Sequence, residues 1–586
     1  MRADRTPILS RMIGVPIQSL RRNTPMLKLL RRKAFSLRYA WLLGAGVVAL
    51  LALAPLLVLV SIAAQGSGDL WPHLAANVLP RAVGQTAILL VGVGLFVILV
   101  GVGAAWAVTA YEFPARKFAE WALLLPLAVP TYVVAFAYLD ILHPLGPVQS
   151  LIRDVLGIAS PRDLRLPDIR SMAGCIVLLG LVLYPYVYLS ARAMFVLQPA
   201  SLMESARMLG AKPFSAFWHV ALPAARPGIA VGGSLALMEA LNDIGAAQFL
   251  GVETLTVSIY STWVNRSSLA GAAQIALLLL AFVLVLILLE RWGRRHRDDA
   301  VGSDVAEGLA PAKLHGFAGY GMLAVVSLPV LLGFVAPATY LAFQSFERIS
   351  RFGLSSAIIT ESANTVFIAA VATLVILGAG FVIAYAMRMV PGAVSSVLAR
   401  MGALGYAVPG TVLAISLLVP LAAFDNALDG LMRHWFGIST GLILSGSGAA
   451  LVYAYAARFM VISSGGIEAG LNKISRSIDE TAQTLGARRR EVMGMIHLPL
   501  LRPALASAAL LVFVDCLKEL PATLLLRPFD FETLATHLYA EASRGTYEDG
   551  AIAALLIVAA GLVPIIALSR LARPEIADVA DEISRS

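Results

Sequence analysis

The chain has 586 residues, 59% of them apolar, with a mean hydropathy of +0.81 and a formal charge of +9. That apolar share exceeds the roughly 45–50% of soluble domains, and stretches of about twenty apolar residues recur along it, which excludes an ordinary soluble globule. Cys175 and Cys516 both fall inside apolar stretches, so neither a disulfide framework nor a cysteine metal site fits. The histidines form no metal-binding pattern, and no Walker-type loop is present. Work against a gradient must therefore draw on ion coupling or on a separate ATP-hydrolysing subunit.

Residues 1–40 hold ten Lys or Arg against Asp4 alone, a basic arm expected in the cytoplasm. Its segment from Ile8 to Leu20 is open between an interfacial helix and disorder. Six apolar spans follow near 41–62, 86–110, 119–142, 172–195, 228–250 and 271–290. A charged linker, 291–315, carries Arg291, Arg294, Arg295 and Arg297. Six more spans lie near 316–343, 362–387, 402–423, 439–461, 504–526 and 550–569, and a tail, 570–586, closes the chain. Pro126, Pro130 and Pro409 should kink or interrupt spans 3 and 9, which is tolerated where protein or a wet cavity re-satisfies the backbone.

Charge asymmetry supports this count. Loops meant to face outward are nearly balanced (Asp69 with Arg81, Glu253 with Arg266, and Glu347, Arg348, Arg351 and Glu361) or acidic. The last, 527–549, sets Arg527 and Arg544 against Asp530, Glu532, Glu541, Glu548 and Asp549. Inner segments hold the basic arm, the linker and Arg488-Arg489-Arg490, which is the positive-inside pattern. It places both termini in the cytoplasm.

The two halves, 41–290 and 316–569, repeat. Residues 204–227 and 480–503 are identical at nine of twenty-four positions at an offset of 276. Gln85-Thr86 matches Asn364-Thr365, Leu125–Pro130 matches Leu404–Pro409, and Thr254–Tyr260 matches Thr533–Tyr539, all at an offset of 279. Six spans per half give two parallel repeats, which a pseudo-twofold axis along the membrane normal relates. Such an axis encloses a central path and shows two equivalent inner surfaces to a twofold partner. In each half a polar run precedes the last span, a candidate contact for a delivering protein.

In the repeated inner segment, Glu204 to Ala211 is expected to form a short helix with Glu204 in its first turn, where the helix dipole favours an acid. Gly210 either admits a neighbouring helix or marks the helix end. Leu209 and Phe217 offer apolar anchors, while Pro223 and Pro227 restrict the backbone before it re-enters the membrane. An ordinary inner loop is the plain alternative for one copy; two matched copies disfavour it, because loop sequence drifts.

Glu-x-Ala-x-x-x-Gly, a spacer and Leu-Pro resembles the coupling-loop signature of permease subunits of ATP-binding-cassette importers. The matching positions are Glu204, Ala206, Gly210, Leu222 and Pro223 in the loop 201–227, and Glu480, Ala482, Gly486, Leu498 and Pro499 in the loop 477–503. Both copies depart after the Glu, where Ala is usual and Ser205 and Thr481 stand. The resemblance covers nearly the whole chain outside 1–40 and the linker. It implies an all-α polytopic protein with twelve transmembrane helices in two fused type I permease repeats. Its function would be transport without enzymatic activity in this chain, with ATP and Mg on two copies of a cytoplasmic ATPase subunit that grip the two loops. A periplasmic solute-binding protein would deliver cargo to a bacterial inner-membrane subunit, with the loop 527–549 as one contact and no nucleic acid involved. The stretch from Asp515 to Thr536 resembles the ferric-iron permeases most closely, with thiamine, phosphonate and polyamine permeases as rivals.

Glu239, Asn242 and Asp243 in span 5 match Asp515, Lys518 and Glu519 in span 11 at an offset of 276. Each triplet has spacing i, i+3, i+4 and is expected on one helix face, roughly 24 Å along the helix from Pro227. Ionisable groups at that depth mark an aqueous path by default. A structural pair of Lys518 with Asp515 or Glu519 is the competing reading, and Lys518 is also the candidate partner for Glu239. These six are the candidate translocation path; no metal ligands are assigned. The tyrosines Tyr132, Tyr184, Tyr186, Tyr188 and Tyr453 are explained more simply as boundary anchors than as cargo contacts. An ion-coupled secondary transporter also has twelve spans and membrane carboxylates, but gives no reason for the doubled loop.

Overall fold

The computed structural model describes residues 25–164, 166–196, 198, 200–210, 212–293 and 311–571. The expectations for residues 1–24, for Arg294, Arg295 and Arg297 and for the tail beyond 571 fall outside these residues. Eleven helices among the described residues are long and apolar enough to cross a membrane. The pair Arg116–Ala128 and Thr131–Ile141, bent by 90°, makes a twelfth. Besides helices and loops there is one parallel bridge, Tyr111 with Ala312 and Glu112 with Lys313, which brings the end of the linker onto the loop after the second span.

Proline shapes the helices in two ways. Pro130 and Pro409 stand at matched breaks with extended ψ of 147° and 144°, directly before helices Thr131–Ile141 and Gly410–Phe436. Elsewhere a five-residue π-turn precedes an X-Pro step, at Leu74–Val78, Phe217–Ala221, Leu331–Val335 and Met493–His497. Proline cannot donate to the carbonyl four residues back and collides with it; widening the preceding turn keeps the helix running.

The halves interlock. The first span, Tyr39–Ala64, packs on helices of the second half, while helix Ala336–Phe352 packs on Thr131–Ile141 and on the last span. Within each half the second and fourth spans lie closest. Gly101 and Gly380, matched at an offset of 279, sit where a Cβ would strike Tyr184 O at 2.9 Å and the Ser463 hydroxyl. Small residues of this kind let membrane helices approach.

The repeated sequence blocks meet one another in space. Thr86 Oγ1 accepts from Leu255 N–H at 2.9 Å, and Thr365 Oγ1 accepts from Leu534 N–H at 2.9 Å. Thr254 and Thr533 cap the helices Leu255–Val264 and Leu534–Arg544 that follow. Most of both motifs is buried, so these two blocks clamp the fold.

Three expectations are corrected. Spans 5 and 11 do not continue to 250 and 526: they end at Asn242 and Leu517 and restart as the short helices Gly245–Phe249 and Pro521–Leu526. The tenth span starts at Ala449, because Asp425 and Asp429 hold the residues before it as a loop, accepting from Leu444 N–H at 2.9 Å and Thr440 N–H at 2.8 Å. Glu361, placed by charge in an outer loop, is helical and buried, and pairs with His537 at 3.0 Å.

The hydrogen bond that His537 donates to the Glu361 carboxylate is the main cause that raises the His537 pKa above its ordinary 6.5. A pKa raised by folding adds stability that is complete below the ordinary value and is lost as pH rises through the raised one. His537→Gln should therefore melt lower than the parent near pH 6, with the gap closing as pH rises above the ordinary imidazole range. A gap independent of pH in detergent thermal melts would contradict this.

Candidate functional site

The helix breaks build the site. The short helices Gly245–Phe249 and Pro521–Leu526 begin with N–H groups that lack intrahelical partners. A carboxylate from each break supplies them. Asp243 Oδ1 accepts from Ala247 N–H at 3.0 Å; Glu519 accepts from Ala522 N–H at 3.0 Å and Thr523 N–H at 3.1 Å. Because the helices stop here, the two triplets do not form a continuous helical face.

The second ligand of each carboxylate differs between halves. Asp243 Oδ2 accepts from the Thr131 hydroxyl. In the second half the residue matched to Thr131 is Gly410, and the residue matched to Val182 is Arg458. Arg458 Nη1 reaches Glu519 Oε1 at 3.1 Å and Asn242 Oδ1 at 3.0 Å, across the seam between halves. A Cβ on Gly410 would lie 2.8 Å from that Nη1, so glycine makes the room. Gly410 N–H also donates to Asn242 Oδ1 at 2.8 Å.

Arg458 escaped the sequence reasoning, which followed matched positions; its signal was an arginine inside an apolar span. It is also the cation nearest Glu239, at 3.9 Å. Lys518 is held by Asp515 at 2.9 Å, one turn away, which replaces the expected Lys518–Glu239 contact.

Glu239, Asn242, Asp243, Asp515, Lys518 and Glu519 all line one cavity of about 120 Å³, together with Arg458, Tyr186 and Tyr406. Its walls come from both halves. Four carboxylates face two cationic side chains there. Asp243 and Glu519 are committed to the backbone, which leaves Glu239, 30% exposed, and Asp515, 28% exposed, as the accessible acids. Among the described residues no group of three or more His, Cys, Asp or Glu is placed to hold a metal ion.

At the opposite end of the same helices stand the repeated loops. Their helices run Ala200–Met208 and Arg476–Thr484, so Glu204 and Glu480 lie mid-helix, not in the first turn. Gly210 and Gly486 end them with φ of +85° and +93°, a region where glycine is favoured. No described residue lies within 4 Å of a Cβ built at either, so both mark helix ends and neither is a notch for another helix of this chain among those residues. Glu204 and Glu480 are exposed, and Ala206 and Ala482 half-buried. Leu209 is 88% and Leu485 83% exposed. Leu222-Pro223 and Leu498-Pro499 open the long helices that run to the cavity.

A further repeat went unnoticed at sequence level. Residues 147–157 match 427–437 at an offset of 280, and both end in a left-handed glycine, Gly157 and Gly437. In each, polar side chains hold a neighbouring loop: Gln149 and Arg153 donate to Leu142 O and Pro144 O, and Asp429 accepts from the loop after Gly437. Leu151 and Leu156, like Leu431 and Phe436, face outward. In the loop 527–549 Arg527 pairs with Glu532 and Asp549 with Arg348, while Phe529 and Asp530 form an exposed tip.

The family model described as "Binding-protein-dependent transport system inner membrane component" matches residues 97–297 and again 376–577. The chain is similar to the Fe(3+)-transport system permease protein FbpB 2 of Haemophilus influenzae, at 23% identity over 83% of this chain and 89% of the relative. It is similar to the Ferric transport system permease protein FbpB of Actinobacillus pleuropneumoniae, at 23% identity over 72% and 61%. The Molybdenum transport system permease protein ModB of Escherichia coli is 25% identical over 36% of this chain and 90% of its own length.

Removing one partner of a buried ion pair typically costs about 3–5 kcal/mol. Arg458→Met should lower the thermal midpoint of the detergent-purified protein clearly. Arg458→Lys should recover only part of it, because an ammonium lacks the planar fork that reaches Glu519 and Asn242 together. A melt of Arg458→Met superimposable on the parent would remove the seam bridge from the account.

Proposed function

Because the chain belongs to the family of binding-protein-dependent transport system inner membrane components, we propose that it is the fused permease of an ATP-driven importer whose cargo is ferric iron. It is a multi-pass membrane protein and a transport subunit. Two copies of a cytoplasmic ATPase subunit, carrying ATP and Mg, grip the two repeated loops, and a periplasmic protein delivers the cargo to the opposite face. Both termini then lie in the cytoplasm, at the inner membrane of a bacterium.

One observation carries the reading: two matched helices present bare apolar tips, Leu209 and Leu485, at the base of helices whose far ends line the cavity. An exposed apolar patch rimmed by polar residues marks an interaction site, and in the first loop Met208, 89% exposed, stands beside Leu209. From Leu222 to Asn242 is roughly 30 Å at 1.5 Å per residue, so movement at a loop is carried along a rigid rod to Glu239 and Asn242. The same holds from Leu498 to Asp515. Differential grip in the two nucleotide states supplies the bias.

Iron is favoured by the ferric-transport relatives that align along most of the chain. The excess of carboxylates over cations in the cavity suits a positive cargo better than molybdate or a phosphonate. An importer must release what it carries, so weak contacts at Glu239 and Asp515 serve it better than a closed metal cage. Calorimetry on the cognate binding protein tests the cargo: iron is expected to bind, and thiamine, a polyamine or a phosphonate binding in its place would overturn the assignment.

Leu209→Asp with Leu485→Asp should abolish co-purification of the ATPase subunit without lowering the melting temperature; retained co-purification would contradict the docking. Glu239→Ala should cut iron uptake by about tenfold or more, equivalent to about 1.4 kcal/mol, with ATPase binding intact. Undiminished uptake would remove Glu239 from the path.

A further inference from the structure

The two loops are fastened to the membrane helices by different means. In the second, Asp479 in the first turn of helix Arg476–Thr484 is the hub. Its Oδ2 accepts from Arg388 Nη2 at 2.8 Å and Nε at 3.2 Å, and its Oδ1 lies 2.8 Å from His497 Nε2. Arg388 also donates through Nη1 to Leu471 O at 2.6 Å and Ile474 O at 3.1 Å, tying down the end of the tenth span. His497 is fully buried and meets the Tyr385 hydroxyl at 3.2 Å. Asp479 thus joins the loop helix to the eighth, tenth and eleventh spans at once.

At the matched positions of the first half stand Met203 for Asp479, Ala221 for His497, Thr109 for Arg388 and Trp106 for Tyr385. Among the described residues no charged side chain stands at these four positions, and a side-chain hydrogen bond in this seat runs from Gln198 Nε2 to Ala221 O at 2.9 Å. Met203 and Ala221 sink into an apolar cluster that includes Phe195, and Trp106 packs on Phe195 and Phe217 at centroid distances of 5.3 and 5.1 Å. Charge-assisted hydrogen bonds fix both distance and angle, whereas apolar contact is non-directional and permits sliding.

We infer that Asp479 is a positioning residue that locks the second loop to the spans, so that the two loops carry load unequally, the second as a stiff lever and the first as a compliant one. The inference rests on the importer reading but does not follow from it, since a symmetric motor could equally act through two identical attachments.

The test uses the full chain with its ATPase subunits in proteoliposomes, supplied with iron-loaded binding protein, and reads iron taken up per ATP hydrolysed. In Asp479→Asn the subunits should stay bound and ATP hydrolysis continue. Iron moved per ATP should fall at least about fivefold, the lower end of ordinary allosteric coupling. Asp479→Glu should restore part of the ratio, His497→Gln should give an intermediate loss, and Met203→Ala should lower the ratio less than Asp479→Asn does. An unchanged ratio in Asp479→Asn, detachment of the ATPase subunits, or an equal or larger loss in Met203→Ala would overturn the inference. Absence of ATP-driven uptake by the parent would instead defeat the importer reading itself.

Discussion

A helix that stops inside a bilayer exposes backbone groups that lipid cannot satisfy. This chain interrupts four helices there, starting anew after Pro130 and Pro409 and stopping at Asn242 and Leu517, and brings the broken ends together at the seam between its halves. Asp243 and Glu519 satisfy the helices that restart, Thr131 and Arg458 hold those acids, and Asn242 receives both Gly410 and Arg458 from the other half. The polar cavity is thus a structural consequence of the breaks before it is anything else. Its acids divide accordingly into two that hold backbone and two, Glu239 and Asp515, that remain accessible.

The repeat gives the cavity its symmetry, and departures from the repeat give it direction. Asp243 leans on the Thr131 hydroxyl and Glu519 on the Arg458 guanidinium as well as the Thr523 hydroxyl; the first loop is seated in aromatic and aliphatic side chains with a hydrogen bond from Gln198 to Ala221 O, the second in an ionic network. Both loops nonetheless continue through a widened turn and an X-Pro step into helices that end at the cavity. The polar cavity at one end of the molecule and the repeated loops at the other share the same two rods.

Much of this was legible in sequence because it rests on hydropathy and repetition. Twelve spans, two halves and the breaks at Pro130 and Pro409 follow from apolar run length, proline positions and matched blocks, while the family rests on the resemblance of the doubled Glu-x-Ala-x-x-x-Gly…Leu-Pro loop. The Thr86 and Thr365 blocks were seen, but that they clamp the blocks at 254 and 533 needed three dimensions, since 169 residues separate Thr86 from Leu255. The breaks after Asn242 and Leu517 were read through because polar side chains spaced three and four apart imitate a helix face; Gly245 and Pro521, at matched positions, were the available signal. Arg458 was passed over because it has no counterpart in the first half. Glu204 falls one turn later in its helix than expected, as that helix begins at Ala200; in the second copy the start was legible, since Ser475 caps Arg476–Thr484 and Asp479 stands in its first turn.

The account turns on an outside motor working through the loops that end in Gly210 and Gly486. Purified chain in proteoliposomes, with iron-loaded binding protein outside and ATP within, should accumulate iron when the ATPase subunits are present and none when they are omitted. Equal accumulation in both preparations, or uptake that follows an imposed proton gradient without ATP, would contradict it.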